Sequence, residues 1–171
     1  MKHILYSLLV ILLLSSSGFA QCSELVRKAH KFSDKTVVMT TCRGKRSADA
    51  IHYKRVYEQG QVYYFVQLYV ESGSFLPQKG ASVFFKDGTS LDWPTASVES
   101  TFDGNIHTSQ STIRLTEEAI ELLQEKQIAS IKLYVHDRAL NQHQSIRAQD
   151  ILNCVIGADL IEVKSDKVVS Q

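Results

Sequence analysis

The sequence predicts a mainly β fold, either an antiparallel β-sandwich or an open antiparallel sheet, with two or three short helices at its periphery. Three observations predict it. The run Gln61 to Glu71 alternates apolar and aromatic side chains over eleven positions; about seven short strand-like runs follow one another with close turn signals such as Asp87-Gly88; and only two or three segments carry helical periodicity.

The run from Gln61 is the element the others must cover. Val62, Tyr64, Val66, Leu68 and Val70 share one face of a strand, and Tyr63, Phe65, Gln67 and Tyr69 share the other, which suits the middle of a sheet better than its edge. Burying the five side chains of the first face would contribute about 8–15 kcal/mol before chain entropy is subtracted.

Ahead of the domain, residues 1–20 have the form of a secretory signal peptide. Lys2 and His3 precede an apolar run from Ile4 to Leu14, and Gly18 and Ala20 sit where signal peptidase requires small residues. Cleavage after Ala20 would leave Gln21 first, and a secreted or periplasmic protein. A lipid anchor on Cys22 would need a small residue directly before it, where Gln21 stands. The remainder reads as one β-rich domain over residues 21–160 with a tail at 161–171, and contains no second apolar run of membrane-spanning length.

The full chain has 19 Lys and Arg against 18 Asp and Glu, so loss of Lys2 leaves 18 of each. That balance argues against a nucleic-acid partner, and Arg43-Gly44-Lys45-Arg46 is a local basic turn rather than a general charge field. Of the three cysteines, Cys22 and Cys154 are the expected pair, each in a helix-like segment near one end of the domain, although Cys22 with Cys42 also closes a loop. A free Cys42 beside Arg43, Lys45 and Arg46 would be a reactive thiol.

In chain order, Ser23 to Phe32 has helical spacing at Leu25, Val26, Ala29 and Phe32, with Ser23 as cap; Thr36 to Thr41 reads as a strand. Ala48 to Glu58 reads as a half-exposed strand joined through Gln59-Gly60 to the central one. After a loop from Ser72 to Gly80, Ala81–Lys86 and Thr89–Trp93 flank Asp87-Gly88, and a two-residue turn there would set Phe84 opposite Leu91 and place Phe84, Leu91 and Trp93 on one side. Pro94 is expected to end that strand. Asp103-Gly104-Asn105 marks a second hairpin with Ser- and Thr-rich, solvated arms from Ala96 to Leu115. Thr116 caps a helix that should stop by Gln127; Ile128 to Val135 is a strand, Asn141 to Ser145 a loop, Ile146 to Ile156 a helix stopped by Gly157, and Leu160 to Val163 a marginal strand.

Chemistry-bearing residues are sparse. His136-Asp137 with His143 is the best local set for a metal, a carboxylate orienting one imidazole while a second approaches across a loop. A zinc-enzyme helix motif, a GxSxG nucleophile elbow and phosphate-binding glycine loops are all absent, and Glu117 and Glu118 suit a helix start better than an acid–base pair. Tyr53, Tyr57, Tyr63, Phe65 and Tyr69 could form an aromatic platform for sugar rings or an extended peptide. The sequence therefore points to an exported module with a binding or structural role toward a protein, peptide or glycan, without a cofactor. The alternative is a small secreted hydrolase or metal-dependent enzyme using His136, Asp137 and His143. Intact-mass measurement of the exported protein should show a chain starting at Gln21, and a lipid-modified Cys22 would overturn that boundary.

Overall fold

A computed structural model describes residues 22, 25–29, 35–40, 50–72, 78–103 and 106–158. The signal segment, Cys42 with its basic turn, and the proposed strand at Leu160–Val163 lie outside the described residues. Among the described residues nine strands form one open sheet: β1 (Leu25–Ala29), β2 (Thr36–Thr40), β3 (Ile51–Glu58), β4 (Gln61–Ser72), β5 (Gln78–Phe85), β6 (Ser90–Asp103), β7 (Ile106–Arg114), β8 (Ile128–Leu133) and β9 (His136–Ala139). Their spatial order is β1-β2-β3-β4-β7-β6-β5-β8-β9, and every pairing is antiparallel. Helix α1 (Glu117–Glu125) links β7 to β8, and α2 (Gln142–Gly157) follows β9.

The central strand lies where its pattern predicts, between β3 and β7. Val66, Leu68 and Val70 are buried, but Tyr64 is only half-buried and Val62 is 37% exposed, because the first residues of β4 run beyond the covering elements. The main core cluster forms on that face: Val83, Phe85, Ile131 and Leu133 from the far half of the sheet, Leu123 from α1, and Ile151, Leu152 and Val155 from α2 join Val66 and Leu68. β6 makes the fold-over. Its first half pairs with β5 and its second with β7, so the β5-β8-β9 half turns back until β8 and β9 pack on β4.

Several local features depart from the sequence reading. Leu25–Ala29 is a strand, not a helix: so short a helix gains little on its own, whereas pairing with β2 satisfies the backbone while Leu25 packs on the core. Pro94 lies within β6 rather than ending it, at a register shift where Gly80, at φ +104°, stands across the pair. At the Asp87-Gly88 turn the register differs by one residue. Gly88 N–H donates to Phe85 O at 3.1 Å, Phe85 N–H donates to Thr89 O at 2.9 Å, and Gly88 takes φ +86°, a three-residue connection with a glycine bulge. Val83 therefore opposes Leu91, and Phe84 opposes Ser90 and faces outward. The Asp87 carboxylate accepts from Thr89 and pairs with Lys126 at 2.8 Å; these bonds, the one from Lys126 foremost, hold it well below the usual carboxylate range.

The β7 serines also depart from a solvated reading. Ser109 and Ser111 are buried, and Ser111 Oγ donates to Ser97 O at 2.8 Å while the Ser100 and Ser109 hydroxyls meet at 3.3 Å, so the polar atoms are satisfied inside. The last helix starts at Gln142, within the expected loop, because Asn141 and Gln144 form a reciprocal capping box.

Two ties hold α2 on the sheet. Arg55 from β3 donates to the carbonyls of Ile156 and Ala158 at 3.0 and 2.6 Å, satisfying the orphan acceptors at the helix end. Cys22 bonds Cys154 with Cα atoms 5.4 Å apart, the expected pairing. With 132 residues of separation, loss of this bond by Cys22→Ala with Cys154→Ala should lower the unfolding free energy by about 5 kcal/mol in the chain-entropy picture, read from urea melts under non-reducing conditions.

Candidate functional site

Because the main core cluster occupies one face of the β3-β4-β7 segment, the other face carries a second set of side chains, of which His52 and Val56 on β3 are buried and the β4 row is partly exposed. Alternation along β4 brings Tyr63, Phe65, Gln67 and Tyr69 to this face, all partly exposed. Register adds their neighbours: Lys54 and Arg114 stand on either side of Phe65, His52 and Thr112 on either side of Gln67, and Gln110 beside Tyr69.

Contacts order the surface. Arg114 lies over the Tyr63 ring with its guanidinium carbon 4.2 Å from the centroid, and Lys54 Nζ lies 5.9 Å from the Phe65 centroid. The Tyr63 hydroxyl bonds the Gln61 side chain. Gln67 donates to the Thr112 hydroxyl at 3.1 Å, and Gln110 to Glu99 at 3.4 Å. The His52 ring, itself buried, meets Tyr69 edge-on with centroids 5.2 Å apart. Rings and amides held this way lose little freedom on meeting a ligand, which favours recognition.

The five-ring platform is divided. Tyr53 opposes Val66 and Tyr57 opposes Val62, so both belong to the core face and are corrected out of the platform; Tyr63, Phe65 and Tyr69 stay together on the open face. Tyr53 is buried, and among the described residues its hydroxyl has no hydrogen-bond partner.

The His136, Asp137 and His143 set is not assembled either. His136 and Asp137 fall on strand β9 instead of a loop, so consecutive side chains take opposite faces: His136 opposes the core residue Leu133 and Asp137 opposes exposed Lys132. His143 is exposed in the first turn of α2. Among the described residues no group of three or more His, Cys, Asp or Glu comes together to hold a metal. Lined by Ile51, Leu140, Gln144, Arg147 and Ile151, a cleft between α2 and β3 has room for about one water, at 10 Å³, too little for an organic substrate. No helix among the described residues is long and apolar enough to cross a membrane.

Comparison with protein-family models, with curated proteins and with solved structures finds no match.

Tyr53 gives this region a pH signature. Burial pushes its phenol well above the ordinary range. The folded protein then holds the proton more tightly than the unfolded chain, so the contribution is complete below about pH 10 and is lost as pH rises beyond it. Tyr53→Phe should leave stability at neutral pH unchanged or raise it by about 1 kcal/mol, since an unsatisfied hydroxyl is removed, and should shift alkaline unfolding to higher pH. Urea melts at both pH values test this; a large loss at neutral pH would show that the hydroxyl has a partner.

Proposed function

We propose that the protein is an exported binding module that holds its ligand against the open face of β3, β4 and β7. The observation that carries this reading is the partly exposed row Tyr63, Phe65, Gln67 and Tyr69, whose strand is anchored from behind by Val66, Leu68 and Val70 at 0–1% exposure. A rigid strand, stacked rings and bonded amides form a surface whose shape is set before a ligand arrives. The Cys22–Cys154 disulfide supports work in an oxidising compartment, in keeping with the signal-like residues 1–20.

An array of glycans and peptides probed with the exported protein tests the reading. Features that retain the wild type should lose affinity by about tenfold or more for Phe65→Ala and for Tyr69→Ala, as expected when a central aromatic contact is truncated. Both residues are partly exposed, so folding should survive the changes. Variants that bind as the wild type does would place the ligand on another surface.

A further inference from the structure

The centre of the open face is a row of three side chains perpendicular to the strands: Lys54 opposes Phe65 on one side and Arg114 opposes it on the other. With neighbouring strands about 4.8 Å apart, two cations arise roughly 10 Å apart across a single ring. Neither Lys54 nor Arg114 has an ion-pair partner among the described residues; the described pairs are Lys35 with Glu58 and Lys126 with Asp87. Of the acids on the same face, Glu58 is thus engaged, Glu99 accepts from Gln110, and exposed Glu71 stands opposite Thr108 toward the far end of β4, six residues along the strand from Phe65. Among the described residues the contacts of the two cations are with the rings of Phe65 and Tyr63.

We infer that Lys54, Phe65 and Arg114 form a subsite for a carboxylated sugar unit of an acidic polysaccharide, an inference that rests on the binding role proposed for this face. The C–H face of a pyranose ring stacks on Phe65, and its carboxylate reaches Arg114, whose planar fork matches carboxylate geometry, or Lys54. One row along β4, the Gln67 amide and Thr112 hydroxyl, bonded at 3.1 Å, offer donor and acceptor positions to sugar hydroxyls. An added peptide strand fits less well, because the backbone of β4 is already paired on both sides over this segment and only side chains are offered. Nucleic acid fits less well too, since its capture draws on many phosphate contacts and this face supplies two central cations.

Native affinity electrophoresis of the exported protein in gels containing polygalacturonate, a neutral galactan or polyglutamate tests the inference. Retardation is expected in polygalacturonate alone, weakening with added salt, with affinity falling about tenfold in Phe65→Ala and in Arg114→Gln and less in Lys54→Gln. Circular dichroism and an intact Cys22–Cys154 bond establish that each variant is folded. No retardation in polygalacturonate overturns the inference. Equal retardation in galactan overturns the acidic specificity, and loss of that retardation in Phe65→Ala would keep the broader binding reading. Equal retardation in polyglutamate reduces the effect to bulk charge and also overturns it. Retardation in polygalacturonate undiminished in both Phe65→Ala and Arg114→Gln puts the polymer on another surface and overturns both readings.

Discussion

Everything in the fold follows from the need to cover one side of β4. Val66, Leu68 and Val70 leave almost no surface to water, a contribution of about 5–9 kcal/mol if each is worth 1.5–3 kcal/mol. A flat sheet could not supply that cover. The far half of the sheet therefore turns over through β6, and α1 and α2 fill the space left at the side. Most of the covering goes to one face, and the opposite face, apart from buried His52 and Val56, carries the partly exposed rings, amides and cations of the proposed site. The asymmetry between the two faces of a single strand thus accounts for both the core and the candidate site.

α2 is held by contacts of different kinds. Arg55 leaves the sheet to cap the helix end, so its charge is spent on peptide carbonyls rather than offered to a ligand. Gln124 and Gln149 bond α1 to α2 through Asn153 Oδ1 and Gln124 O at 2.7 and 3.1 Å. Lys54, the residue before Arg55, faces the other way, over the Phe65 ring. Alternation sends these neighbouring cations to different environments, one to the end of α2 and the other to the proposed site.

The sequence made legible whatever depended on short-range pattern. Gln59-Gly60 forms a two-residue turn with φ of 52° and 79°, so the β3–β4 register, and with it Lys54 opposite Phe65, follows from counting back from the turn. Arg114 was beyond such counting, because 33 residues lie between the end of β4 at Ser72 and the start of β7 at Ile106 and no local signal sets their register. The split of Tyr53 and Tyr57 from Tyr63, Phe65 and Tyr69 was implicit in the same alternation, since an antiparallel pair joined by two residues puts Tyr53 opposite Val66. Leu25–Ala29 and the Asp87-Gly88 turn went the other way: in the first a long-range pairing overrides local periodicity, and in the second the Asp87 side chain bonding Thr89 favours a three-residue connection over the two-residue one.

The bond between Cys22 and Cys154 encloses all nine strands and most of α2 in one covalent ring. A protease that cuts one exposed connection inside the ring, such as the Lys86–Gly88 turn or the Tyr134-Val135 tip, would open the chain without separating its pieces. The two halves would stay at a high effective concentration, with their strands still paired. Such a molecule keeps its β3-β4-β7 face after the first cut, and its destruction requires either a second cut or a reductant.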